Sequence, residues 1–150
     1  MKNKTALITG ASTGIGKELA IIHASKSGNL VIIARNESKL NKLKQELEKK
    51  YKVKVVVIAK DLSNLNAAKE IYDEVKKQGI EIDYLINNAG FGALGKFHEL
   101  DLARQISMIN LNITALTTLT HLFLPEFVQR NSGKIMNTSS TASFMPGPLQ

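Results

Sequence analysis

The sequence predicts an α/β domain with a doubly wound parallel sheet, and three observations lead there. Short apolar runs alternate with segments of helical periodicity along all 150 residues. The first run breaks into a glycine-spaced turn, and each later run ends on small or polar residues. Strands that each feed a helix before the next strand require parallel, right-handed βαβ units.

The stretch Thr5 to Gly16, TALITGASTGIG, sets the pattern. Thr5 to Thr9 suits a buried parallel strand. Gly10 lacks a Cβ and so permits a sharp turn off that strand. Gly14 leaves room for a ligand's phosphates to approach the main chain, and Gly16 lets the following helix lie tight on the sheet. The unpaired N–H groups of that helix start favour an anion, with a pyrophosphate as the natural guest. The spacing G-x-x-x-G-x-G is not the generic G-x-G-x-x-G fingerprint. A P-loop fits less well, because Gly10 lies one residue too far upstream and Glu18 replaces the Ser or Thr that holds magnesium. Taken alone, these glycines equally describe an ordinary strand-to-helix turn.

The remaining elements follow in order. Ile15, Leu19, Ala20, Ile22 and His23 mark the first helix, which Gly28 would end in a left-handed cap. Leu30 to Ala34 is continuously apolar, as expected of a strand covered on both faces. A lysine-rich helix from Glu37 to Lys50 has Leu40, Leu43, Leu47 and Tyr51 as its apolar positions. A third strand spans Val53 to Ala59, with Asp61 just beyond it. Asn66 to Lys77 reads as a helix closed by Gly79, and Tyr84 to Ile86 as a fourth strand running into Asn87, Asn88, Ala89 and Gly90. From Asp101 to Phe127 a long helix carries more than one apolar face and therefore needs cover on two sides. Pro125 either kinks its end or begins a separate turn. Lys134 to Ser139 supplies the fifth strand. Residues 1–150 read as one domain without repeat or linker.

Composition narrows the function classes. The absence of cysteine excludes disulfides and thiolate metal ligation, and a reducing cytoplasm is the expected home. No apolar run approaches membrane-spanning length, and Thr5 follows too soon after Met1 for a cleaved leader to be expected. The net charge of +7 raises the question of nucleic acid. The lysines are concentrated between Lys39 and Lys60, however, and most of those lie on the polar side of one helix among Glu46 and Glu48, the pattern of a solvated face, so no nucleic-acid partner is expected. His23, His98 and His121 are too scattered for a metal site.

With all five strand ends in view, the chain resembles the N-terminal part of a classical short-chain dehydrogenase/reductase. TGASTGIG, with Gly10, Ser12, Thr13, Gly14, Ile15 and Gly16, is similar to that family's TGxxxGxG cofactor loop. Asp61-Leu62 resembles its adenine-contacting acidic pair, and Asn88-Ala89-Gly90, after Asn87, its NNAG motif. Asn112 in NITA resembles its active-site asparagine, and Ser140 in NTSSTAS its catalytic serine, with Ser139 as the alternative. The resemblance implies a Rossmann sheet that is C-terminally incomplete here. It also implies hydride transfer between a nicotinamide and a small carbonyl or secondary-alcohol substrate. Ser140 would donate to the substrate oxygen, Asn112 would hold a relay water, and a complete protein would pair through its long helix.

Charge decides between the two dinucleotides. A free ribose is usually held by a carboxylate at the end of the second strand, whereas a 2′-phosphate needs a cation. Ala34 and Arg35 stand there, so NADP(H) is expected over NAD(H) unless Arg35 merely pairs with Glu37. The family's tyrosine and lysine, Tyr-x-x-x-Lys, should come shortly after Gln150, and Tyr51, Tyr72 and Tyr84 all lie too early to substitute. These 150 residues are therefore expected to form a cofactor site with half a catalytic site and to be inactive alone, their fifth strand an open edge. A non-catalytic NADP(H)-binding module, or an inactive truncated product, is the alternative. The segment Phe91 to Phe97 either lines the substrate entrance or is a plain loop.

Overall fold

The computed structural model describes residues 2–145 and 147–149. It contains five strands: β1 (Thr5–Thr9), β2 (Asn29–Ala34), β3 (Val55–Ala59), β4 (Tyr84–Asn87) and β5 (Lys134–Asn137). All pair in parallel in the order β3-β2-β1-β4-β5. Helix α1 (Gly14–Ser25) and helix α2 (Glu37–Tyr51) follow β1 and β2, and α3 (Ala67–Lys77) follows β3. A long helical segment precedes β5 and has three parts: α4 (Leu102–Ile109), a π-helical stretch (Asn110–Ala115) and α5 (Leu116–Gln129).

Alternation along the strands sorts the core into two layers. Ala6 and Ile8 of β1 pack with Ala20, Ala24, Leu40, Leu43 and Leu47 of α1 and α2. Leu7, pointing the other way, packs with Ile71 and Val75 of α3 and with Leu119 and Phe123 of α5. A sheet covered on both faces explains why β2 is apolar at every central position.

Several local expectations change. Helix α1 buries Gly16, Ala20, His23 and Ala24, while Ile15 and Ile22 are exposed. It lies so close to the strands that small side chains, not the large ones, face inward. The left-handed residue after α1 is Ser27, at φ 59°. Gly28 is needed for space, since a Cβ there would meet the His23 ring. The left-handed Lys52 ends α2 and shortens β3, which starts at Val55, although Val53 is still buried. Pro125 sits inside α5, which continues to Gln129. Among the described residues, the long helical segment has cover on one apolar face, and Ile106, Ile109 and Ile113 are exposed. β5 pairs with β4 alone among the described residues, and Ser140 opens a short 3-10 turn, Thr141–Phe144.

His23 makes the fold pH-sensitive. It is buried, its Nε2 donates to the Lys4 carbonyl at 3.0 Å, and its ring meets Tyr84 edge-on at 5.5 Å. Burial lowers its pKa, against the opposing pull of its main-chain acceptors. A depressed folded pKa means that stability is full above the unfolded value of about 6.5 and falls as the pH drops below it. Thermal melts at about pH 7.5 and about pH 5.5 should show a larger loss for the native chain than for His23→Gln, which keeps a donor without the charge. Equal losses would remove His23 as the cause.

Candidate functional site

β1 lies between β2 and β4, so the chain builds outward from it in both directions. Loops leaving the carboxyl ends of β1 and β4 therefore diverge and open a crevice. A cleft of ≈ 550 Å³ occupies this place and is lined by residues that follow all five strands. From β1 come Gly10, Ser12, Thr13 and Ile15, and from β2 Ala34, Arg35 and Asn36. Lys60, Asp61 and Leu62 follow β3, Asn88, Ala89, Gly90 and Phe91 follow β4, and Thr138 follows β5. The sequence-predicted cofactor residues thus share one space, apart from Gly14, which borders an adjoining pocket, and Gly16, buried beneath the loop.

The floor of the cleft is fixed by close main-chain approach. Gly10 has φ +69°, and a Cβ on it would lie 2.9 Å from Ala89 Cα. A Cβ on Gly16 would run into the Gly10 carbonyl, so Gly16 seats α1 against the glycine loop and not simply against the sheet. Gly14 has φ +55° with nothing within 4 Å, a glycine kept free on its outer side. Thr9 is a residue that motif reading missed. Its Oγ1 accepts from the N–H groups of both Asn88 and Ala89 at 2.9 Å, and Asn88 Nδ2 donates to its carbonyl at 3.1 Å. A buried hydroxyl at the last position of the strand, after the apolar Ala6, Leu7 and Ile8, was the available signal.

The charges suit a phosphate-rich guest. Thr13, the residue before α1, makes no side-chain cap, and no acidic residue stands in the first turn, so the opening amides face the cleft without a side-chain competitor. Arg35 makes no ion pair among the described residues, and the alternative pairing with Glu37 is not formed. Lys60 is held by Glu70 at 2.6 Å. Asp61 Oδ1 accepts from the Ser63 N–H at 3.0 Å and from its hydroxyl at 2.8 Å, which fixes the carboxylate at the β3 end of the cleft.

The catalytic candidates are placed differently. Asn112 lies in the π-helical stretch, where its Oδ1 accepts from Phe91 N at 3.2 Å and its Nδ2 donates to Phe91 O at 2.9 Å. Its amide is thus spent on holding the loop that forms one wall. Ser140 caps the short turn after β5, its Oγ accepting from Ala142 N at 3.1 Å, which leaves the hydroxyl proton to give. Ser139 Oγ lies 3.4 Å from Ser143 Oγ. Behind them, Asn87 Nδ2 donates to Asn137 Oδ1 at 3.0 Å and to Thr120 Oγ1 at 3.1 Å, tying β4, β5 and α5 together. In the Phe91 to Phe97 segment, Phe91 lines the cleft under the Arg104 guanidinium, 5.3 Å from its ring.

The Tyr-x-x-x-Lys spacing occurs once within the chain, at Tyr72 and Lys76. Both side chains engage Glu126 on α5, Tyr72 donating at 2.9 Å and Lys76 at 3.1 Å. That hydrogen bond raises the Tyr72 pKa, the wrong direction for a proton donor in catalysis, and the pair does not border the cleft. Among the described residues no group of three or more His, Cys, Asp or Glu could hold a metal ion, and no helix is long and apolar enough to cross a membrane.

Sheet order, crevice and glycine loop together define a Rossmann-type α/β domain. The family model for short chain dehydrogenases matches residues 4–150, and the chain belongs to that family. It is 38% identical over 145 residues to the NADP-dependent 3-hydroxy acid dehydrogenase of Schizosaccharomyces pombe, covering 95% of this chain and 56% of that protein. It is 36% identical over 150 residues to the very-long-chain 3-oxoacyl-CoA reductase of Homo sapiens, covering 96% and 47%. A short-chain dehydrogenase from Sphingobium yanoikuyae, solved in complex with NADPH, superposes with a TM-score of 0.91 at 34% identity, covering 97% of this chain and 57% of that one. The chain therefore spans about half the length of these relatives.

Proposed function

We propose that this chain is the NADP(H)-binding part of an oxidoreductase that moves a hydride between nicotinamide and a carbonyl or secondary alcohol. The observation that carries the cofactor choice is Arg35, on the cleft at the end of β2 and without a carboxylate partner among the described residues. The residues present fit such a guest. The amides opening α1 hold the pyrophosphate over the space left by Gly14, Arg35 holds the 2′-phosphate, and Asp61 with Leu62 borders the adenine. Asn88, Ala89 and Gly90 form the wall toward the nicotinamide. When bound, NADP(H) supplies or accepts the hydride.

Ser140 offers its hydroxyl proton to the substrate oxygen as negative charge grows there. Asn112 acts by pinning Phe91 and so the wall against which the substrate lies. The exposed stripe of Ile106, Ile109 and Ile113 supports pairing of complete copies through the long helical segment. A second reading is an NADP(H)-binding module without turnover; Tyr51, Tyr72 and Tyr84 do not border the cleft, and they do not decide between the two. Calorimetric titration of the intact chain should give NADPH a dissociation constant at least about tenfold below that of NADH, the difference expected of one charge-assisted phosphate contact. Equal affinity, or a preference for NADH, would refute the cofactor assignment.

A further inference from the structure

A second pocket, of ≈ 380 Å³, opens beside the cleft between the start of α1 and the Lys39 to Glu46 part of α2. Ser12, Thr13 and Lys39 border both spaces, so the two adjoin along the glycine loop. Lys17 and Lys42 border only the smaller one, Arg35 and Lys60 only the larger. None of Lys17, Lys39 and Lys42 makes an ion pair among the described residues. Glu46 is the one carboxylate on this wall, which leaves the three lysines in excess. Like charges gathered around a concavity repel one another, and an anion seated among them relieves that repulsion.

The covalent order of an adenine nucleotide says which anion fits. With the base beside Asp61 and the diphosphate at the start of α1, ribose carbon 2′ is the one next to the base-bearing carbon, and carbon 3′ lies one step nearer the diphosphate. A phosphate on carbon 2′ therefore falls toward Arg35. One on carbon 3′ would lie nearer Ser12 and Thr13, which border both spaces and through which the smaller pocket is reached. We propose that Lys17, Lys39 and Lys42 form an anion subsite for a ribose 3′-phosphate. Nucleotides bearing a 3′-phosphate then enter the same cleft and compete with the 2′-phosphorylated dinucleotide. This inference rests on the reading above, that the cleft holds an adenine nucleotide.

The test is calorimetric titration of the intact chain with adenosine 3′,5′-bisphosphate, adenosine 2′,5′-bisphosphate and adenosine 5′-monophosphate. The 3′,5′-bisphosphate should bind about 30-fold more tightly than the monophosphate, one charge-assisted contact converted to affinity. Lys42→Ala combined with Lys17→Ala should abolish that gain and leave the 2′,5′-bisphosphate within about twofold, whereas Arg35→Ala should do the reverse. Lys42 is exposed and Lys17 half-buried without an ion pair among the described residues, so the double variant is expected to fold, and its retained 2′,5′-bisphosphate binding verifies that the cleft is intact. If only the 2′,5′-bisphosphate gains over the monophosphate, the subsite is refuted and the cofactor reading stands. A double variant that weakens both bisphosphates equally also refutes the subsite, since the lysines would then act only as a diffuse field. Binding of none of the three would overturn both.

Discussion

Arg35→Ala should weaken NADPH binding about 30-fold and leave NADH within about twofold, because a charge-assisted hydrogen bond contributes about 2 kcal/mol and about 1.4 kcal/mol is a factor of ten. Arg35 is exposed at the end of β2, so its removal leaves no cavity and no buried partner unpaired. The two dinucleotides differ only at the 2′ position, which makes NADH the internal control for any general distortion. Lys60, the other cation on that side of the cleft, is already held by Glu70 and does not replace the lost contact. Arg35→Lys should recover part of the affinity, since an ammonium supplies the charge without the planar donor fork. The same preference should shrink in high salt, as expected of an exposed cation and a phosphate. A matched loss for both dinucleotides would show that Arg35 shapes the cleft and does not read the phosphate.

What the sequence made legible is what backbone constraint and strand periodicity write into it. All five strands were recognisable because continuous β-branched and apolar runs such as Leu30 to Ala34 have few other uses; residues after each strand border one cleft, but Ser139 and Ser140 after β5 are not among its lining. Helix α1 was readable as a helix but not by its buried face. Ile15 and Ile22 look like core residues until the close seat set by Gly16, Ala20 and Ala24 is known. The π-helical stretch at Asn110–Ala115 left no mark in an otherwise regular helical pattern. Asn112 could be picked out by its motif, but its pairing with both polar groups of Phe91 depends on a loop whose path composition does not determine. Tyr72 and Lys76 show the opposite hazard, a catalytic spacing met by two residues that bind Glu126 at a helix–helix contact. The pocket at Lys17, Lys39 and Lys42 was hidden because those lysines come from two helices, and in sequence they look like ordinary solvated charges.

The two inner glycines of the loop should fail in different ways when each is changed to alanine. Gly16→Ala places a methyl against the Gly10 carbonyl and 2.5 Å from Asn88 Nδ2, and neither is the free end of a flexible side chain. Overpacking of this kind costs about 3 kcal/mol, and the shift that relieves it must lift α1 off the glycine loop or displace the Asn88 contact to Thr9. Stability and dinucleotide binding should therefore fall together. Gly14→Ala meets nothing within 4 Å, so its stability cost is only the left-handed conformation at φ +55°, roughly 1–2 kcal/mol. Its methyl nevertheless stands where a pyrophosphate must approach the amides of α1, so the loss of NADPH affinity should exceed about tenfold while stability falls less than in Gly16→Ala. Denaturant unfolding and NADPH titration of both variants separate these outcomes. NADPH affinity kept within about twofold in Gly14→Ala would mean that the space beside Gly14 is not where the phosphates lie. A Gly16→Ala protein as stable as the native chain would mean that the loop is looser than its contacts to Ala89, Asn88 and Thr9 require.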